Sequence, residues 1–310
     1  MPLLASIDVG SNTIRLLIGR VENKKIVRLR CEMVITRLAE GIAETELLKA
    51  ENMEKSLSVL KEFSSLISTC NVPHIKAIGT SALREAKNSE EFISRVMSGT
   101  GIKIEVISGH EEARLTAKGV LLDFPKSGSS FIVDIGGGST EWILCENSSP
   151  AEMGTIPTGV VKLFDNHIKS DPPSKQDVTS LNNEAEDILN KLKIKIGNHL
   201  TNKTVFIGTA GTITTLASID LGLETYDHEK IHMHIIPPQR LYAISDMLMG
   251  ISLSGRKKLK GLEPERADLI IPGILFTIKI MEVFGFKDML VSDNGLLEGI
   301  LIRLSEEVSH

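Results

Sequence analysis

Two stretches of this chain repeat one design, and that repeat limits the possible folds more than any bulk property. Leu4 to Arg20 reads LASIDVGSNTIRLLIGR, and Phe131 to Leu144 reads FIVDIGGGSTEWIL. Each is a β-branched run ending in Asp, then an apolar residue, small turn residues and a second apolar run. That is the pattern of strand, tight turn, strand. A repeat placed at the start of each half implies two related domains, one behind each hairpin. The 310 residues suit this, at roughly 150 per domain.

The rest of the first half alternates. Strands are expected at Lys25 to Ile35, His74 to Ile78 and Ile102 to Ile107. Helices are expected at Leu47 to Ile67, Ser89 to Met97 and Gly109 to Leu122. Such alternation indicates an α/β architecture. Phe124-Pro125-Lys126-Ser127-Gly128-Ser129-Ser130 reads as a boundary, giving domains 1–125 and 126–310. A last helix, from about residue 295 to the end, is expected to pack back on the first domain. The second half reads as strands to about Ile156, helices from Lys162 to Leu200, and a strand at Thr204 to Ile207.

The net charge of -5 argues against bulk attraction to nucleic acid or to an anionic membrane. Three scattered cysteines, Cys31, Cys70 and Cys145, suit a reducing compartment. The start of the chain lacks a basic, signal-like region. The most apolar run, Leu269 to Ile280, is too short to span a bilayer. The expectation is a soluble, cytoplasmic protein.

Asp134-Ile135-Gly136-Gly137-Gly138-Ser139-Thr140 is the most informative stretch. Successive glycines leave backbone N–H groups open to an anionic oxygen. A carboxylate 4 Å from a phosphate charge near a surface costs about 4 kcal/mol. A Mg²⁺ ion bridging Asp134 and the phosphate removes that conflict. Gly10, Ser11 and Asn12, after Asp8-Val9, form a second turn of this kind. A single turn would fit an ordinary hairpin; two matched turns favour phosphate. Gly208, Thr209, Gly211 and Thr212 lie between a strand and a helix-like run, where a helix N-terminus binds anions.

Ser108-Gly109-His110-Glu111-Glu112 opens a helix, and Ser108 with Glu111 matches a capping box. Glu112 lies about 100° further round and is available as a general base on water. The plainer role for it is to complement the helix dipole. Arg84 and Arg266 are candidate phosphate clamps or solvated arginines. Arg256-Lys257-Lys258 with Lys260 reads as a solvated face or as the wall of a polyanion groove. His228, His232 and His234 suggest a metal cluster only weakly, because no cysteine lies nearby. A strand over Ile231 to Ile236 would put His232 and His234 on one face.

The motifs DVGSNTIRL from Asp8, GTSALREA from Gly79, SGHEEARL from Ser108, DIGGGSTE from Asp134, GTAGTITTLA from Gly208 and ERADLIIPG from Glu265 occur in this order. With them the chain resembles the exopolyphosphatase and guanosine pentaphosphate phosphohydrolase family over nearly its whole length. The resemblance implies an α/β fold of two ribonuclease-H-like domains, of the actin, sugar-kinase and Hsp70 type, with an interdomain cleft. It implies Glu112 as the water-activating base, and Asp134 and Glu141 as acids associated with Mg²⁺ or Mn²⁺. It puts Gly136 to Ser139 and Ser11-Asn12 on phosphate turns and Arg84 on a phosphate-binding arginine. It also makes a homodimer reasonable. Gly295-Leu296-Leu297-Glu298-Gly299 departs from the family's Gly-Leu-Arg-Glu-Gly, which puts a chain-binding arginine there in doubt. The expected activity is hydrolysis of a terminal phosphoanhydride of polyphosphate or guanosine pentaphosphate. An ATP-dependent kinase of the same fold and a non-catalytic sensor of guanosine tetraphosphate or polyphosphate remain as alternatives.

Overall fold

The computed structural model describes residues 2–23, 25–124 and 128–309. The chain forms two compact units, residues 1–124 with 294–310, and residues 125–293. Pro125 to Ser127, within the expected boundary segment, lie outside the described residues.

In the first unit, β1 (Leu4–Val9), β2 (Thr13–Glu22) and β3 (Lys25–Ile35) form an antiparallel meander. Then come α1 (Ile42–Thr45), α2 (Ala50–Thr69), β4 (His74–Gly79), α3 (Ser81–Glu85), α4 (Ser89–Thr100), β5 (Ile104–Val106) and α5 (Gly109–Val120). The sheet order is β3-β2-β1-β4-β5, with β4 parallel to β1 and β5 parallel to β4. This is the ribonuclease-H-like arrangement.

The second unit starts with the meander β6 (Ser129–Ile135), β7 (Thr140–Glu146) and β8 (Ser149–Ile156). It continues through α6 (Val160–His167), α7 (Lys175–Ile196), β9 (Val205–Thr209), α8 (Ala210–Asp220) and α9 (His228–Ile231). After these come β10 (Ile235–Ile236), α10 (Pro238–Met249), α11 (Leu253–Arg256), α12 (Ile270–Phe284) and β11 (Met289–Val291). Its sheet order, β10-β11-β9-β6-β7-β8, repeats the first plan with β10 added antiparallel at the edge. The last helix, α13 (Leu296–Val308), belongs to the first unit.

Every residue of β1 is buried, because helices cover both faces of its sheet. Period-2 alternation sends Ala5, Ile7 and Val9 into the larger core of the unit. Leu4 goes to the other face, where it packs with Leu17, Leu297, Leu301 and Leu304. The parallel strands of this unit end level with one another: Val9 pairs with Gly79, and Gly79 with Val106. In the second unit Asp134 is level with Thr209, and Gly208 with Val291. In open α/β sheets ligands bind beyond these carboxyl ends. Among the described residues, no helix is long and apolar enough to cross a membrane.

Burial separates the three cysteines. Cys31 is exposed, Cys70 intermediate and Cys145 buried. Burial raises the Cys145 thiol to about 11, against the opposing hydrogen bond with Ser130. Thiolate is the reactive form, so at pH 8 iodoacetamide should label Cys31 first and Cys70 more slowly. Cys145 should label only after unfolding, and peptide mass mapping checks this order.

Candidate functional site

The first two glycine turns share one backbone plan. Gly10 N–H donates to Thr13 O at 3.0 Å, and Gly136 N–H donates to Ser139 O at 3.1 Å. The carbonyls behind each turn are tied back. Ser11 O accepts from Ala39 N–H, and Asn12 O accepts from Thr36 and Arg37 N–H. Gly136 O and Gly137 O accept from Val160 and Val161 N–H, in the first turn of α6. Gly159 lets that helix approach, since a Cβ there would lie 2.5 Å from the Gly136 and Gly137 carbonyl oxygens. With the Gly136 and Gly137 carbonyls held by α6, the Gly137 and Gly138 amides meet no backbone acceptor among the described residues. Successive amides left open in a turn are what an anion-binding nest requires.

Buried polar atoms mark the first turn. Asp8 Oδ1, Ser11 Oγ and Asn12 Oδ1 are enclosed without a hydrogen-bond partner, although such atoms are normally satisfied. A bound ligand would supply the partners. Asp8 was not among the sequence candidates, yet the signal was legible. It precedes Gly10 by two residues, as Asp134 precedes Gly136.

The two hairpins differ in electrostatics. Asp8 lies directly opposite Arg15, whose Nε and Nη2 donate to Asp8 Oδ2 at 3.0 and 2.6 Å. Asp134 lies directly opposite Glu141, and both are buried, at 7% and 1% exposure. Thr155 Oγ1 donates to Glu141 Oε1 at 2.8 Å. Directly opposed side chains have Cβ atoms about 5 Å apart, so two acids placed there repel. A cation is built into the first hairpin and replaced by an acid in the second.

Glu112 is 7% exposed on the first turn of α5. Arg84, at the end of α3, reaches it from Nη1 at 3.1 Å and also donates to Ile107 O at 2.8 Å. Level strand ends produce this meeting, because α3 follows β4 and α5 follows β5. Only half of the expected capping box forms. Ser108 Oγ accepts from Glu111 N–H at 3.2 Å, but the Glu111 carboxylate turns to Arg114 and Arg303. The Arg114 hydrogen bond, with the charges of Arg114, Arg303 and His110, holds the Glu111 carboxyl below its ordinary range.

The third turn brings two separate candidates together. A Cβ on Gly211 would lie 2.1 Å from Arg266 Nη1, so the guanidinium rests on that glycine. Arg266 is nine-tenths buried and its Nε lies 3.3 Å from Glu263 Oε2, so it is not a solvated arginine. Thr209 and Thr212 are buried at the start of α8, and Ala210 between them has φ of 73°. Left-handed backbone in a non-glycine residue stores strain, which gathers at functional sites.

Arg256 is neither a solvated residue nor a groove wall. It is 3% exposed and donates to Ala267 O, Ile251 O and Asp171 Oδ1 at 2.7–2.8 Å. Lys257 and Lys258 are exposed, and Lys260 pairs with Glu224. The expected strand over Ile231 to Ile236 shrinks to β10, because Met233 has φ of 67°. His228 and His232 stack with ring centroids 5.6 Å apart, and His234 turns away from them. His228 Nδ1 bonds Asp293, His232 Nδ1 accepts from Asp293 N–H, and His234 Nε2 bonds Asp220. Among the described residues, no group of three or more His, Cys, Asp or Glu is arranged to hold a metal. Leu297, where the family arginine was missed, is 2% exposed in the leucine cluster under β1. Its departure from the motif is a matter of packing.

Known proteins match this chain along its length. It is 29% identical to exopolyphosphatase 2 of Mycobacterium tuberculosis, over 97% of this chain and 98% of that protein. It is also 29% identical to a guanosine-5'-triphosphate,3'-diphosphate pyrophosphatase of Vibrio atlanticus, over 99% of this chain and 60% of that longer protein. It is 31% identical to a bifunctional 3-dehydroquinate synthase/phosphatase of Fusobacterium nucleatum, and the match covers 97% of this chain but only 46% of that protein. The crystal structure of the Aquifex aeolicus Ppx/GppA family member superposes with a TM-score of 0.83 at 32% identity, covering 100% of this chain and 99% of that one. The profile of the Ppx/GppA phosphatase family matches residues 17–308. With the motifs, both sheets and the match in agreement, the chain belongs to the Ppx/GppA phosphatase family.

Proposed function

We propose that this chain hydrolyses the terminal phosphoanhydride of inorganic polyphosphate or guanosine pentaphosphate, with Glu112 as the general base. The reading rests above all on the opposed acids Asp134 and Glu141 beside a phosphate-binding turn, against the neutralised Asp8–Arg15 pair of the sister hairpin. Two buried carboxylates set directly opposite each other across the hairpin fit Mg²⁺ or Mn²⁺. Such an ion takes one or two carboxylates and completes its shell with water and substrate phosphate. When bound, it supplies neutralisation of charge on the phosphoryl oxygens. Glu112 accepts the proton of the attacking water as the new P–O bond forms. The terminal phosphoanhydride P–O bond breaks, and phosphate leaves the shortened substrate. Arg84 and the N–H groups of the turns orient the terminal phosphates, and Arg266 supports the third turn. The family resemblance and the named substrates of the relatives support the same reading.

The test is phosphate release from polyphosphate, guanosine pentaphosphate and ATP by purified protein, with Glu112→Gln as control. No release above that control from any substrate would favour a non-catalytic sensor.

Chain length offers a second test. With a net charge of -5, the protein must hold a long polyanion through local donors, and contacts from exposed lysines weaken with salt. Charge reversal of Lys257 and Lys258 should raise KM for long polyphosphate several-fold and leave KM for guanosine pentaphosphate nearly unchanged. The difference should shrink as ionic strength rises. Equal effects on both substrates would make these lysines a solvated face and favour the short substrate.

A further inference from the structure

We infer that α13 is the brace that positions Glu112, and that Gly299 is the contact that sets the position; this rests on Glu112 being the base. Contacts join α13 and the residues just before it to α5 and the residues just after it, among them the ion pair of Lys118 with Glu306. Below the last turn of α5, Asn294 Nδ2 donates to Asp123 Oδ2 at 2.7 Å. At Gly119, a Cβ would lie 1.9 Å from Gly295 O, and at Gly299 a Cβ would lie 1.9 Å from Leu115 O. At the first turn, Arg303 Nη1 donates to Glu111 Oε1 at 2.8 Å, next to Glu112 in the chain. The two helices therefore meet backbone to backbone at Leu115–Gly299 and Gly119–Gly295, with polar contacts on either side of that pair of approaches.

The brace is itself anchored. Glu298 Oε2 accepts from Gly295 N–H at 2.8 Å, and Glu298 Oε1 lies 2.9 Å from Arg28 Nη2 on β3. Leu297, Leu301 and Leu304 seat one face of α13 under β1 and β2, while Leu296 and Ile300 join Ile78, Ile107 and Leu115. With α13 held to the sheet on that side, a side chain added at residue 299 displaces α5. Restoring an ordinary contact of about 3.2 Å from 1.9 Å needs a shift of more than about 1 Å. A misplacement of about 1 Å in a catalytic constellation costs on the order of 10²-fold in rate. Leu115 is one turn from Glu112, so the shift is delivered at the base.

The experiment compares Gly299→Ala with Leu301→Ala, a cavity variant on the same helix that leaves the α5 crossing intact. Both should lower Tm. Well below either Tm, Gly299→Ala should lower kcat on the order of 10²-fold with KM within about threefold, while Leu301→Ala keeps kcat within about threefold. Hydrogen exchange of the amides of residues 111–113 should quicken in Gly299→Ala and not in Leu301→Ala. This readout holds whatever chemistry Glu112 performs, so its failure is separate from failure of the base assignment. Should Gly299→Ala not fold, Arg303→Glu reverses the pin at Glu111 and should lower kcat by about tenfold with the same exchange signature. Equal kcat losses in Gly299→Ala and Leu301→Ala, or unchanged first-turn exchange in Gly299→Ala and Arg303→Glu, would overturn the inference.

Discussion

Glu112→Gln should lower kcat by roughly 10²–10⁴-fold, the usual contribution of a positioned proton acceptor. Affinity for a phosphate ligand should stay within a few-fold, because the amide oxygen can still accept from Arg84 Nη1, now 3.1 Å from Glu112 Oε2. The Arg84 side chain keeps 25% exposure, so water can solvate it once the carboxylate charge is gone. Its Tm should therefore move little. Single-turnover phosphate release, ligand titration and thermal melting on the same preparation separate these effects. A clear fall in Tm with near-normal kcat would leave Glu112 a structural residue of the helix start.

Asp134→Asn should abolish turnover to a similar degree, for a different reason. It removes one of two opposed buried acids, and with it a charge that in the proposed mechanism retains a divalent cation. Melting in excess chelator gives the metal-free baseline of each protein. Wild type should gain about 2.7 kcal/mol at metal concentrations 100 times Kd, by mass action on the folded state. The variant should gain almost none. Melting curves with and without Mg²⁺ give the stability effect, and turnover in chelator gives the catalytic one. Full wild-type turnover in excess chelator would remove Asp134 and Glu141 from the reaction.

Local chemistry made the hairpins and most helices legible. β3 runs from Lys25 to Ile35 as its β-branched run implies, and the helix expected at Leu47 to Ile67 lies at Ala50–Thr69. The histidine segment failed for a reason no period count detects. Met233 adopts a left-handed backbone, which breaks the strand alternation that would have aligned His232 with His234. Arg256 failed likewise. A basic run looks solvated in one dimension, but its guanidinium meets carbonyl oxygens of residues 251 and 267 and the carboxylate of Asp171, which folding brings around it.

The sequence alone determined the two hairpins, their glycine turns and the acid near the end of each first strand. These depend on conformational freedom and strand propensity within a few consecutive residues. Tertiary structure decided which charges meet. Asp8 faces Arg15 whereas Asp134 faces Glu141, because strand register sets cross-strand neighbours. Arg84 reaches Glu112, 28 positions along the chain, only because β4 and β5 end level with each other. The hold of α13 on α5 was equally out of sequence reach. Gly119 and Gly299 are far apart in the chain, and only packing shows that each lacks a side chain because another backbone fills the space.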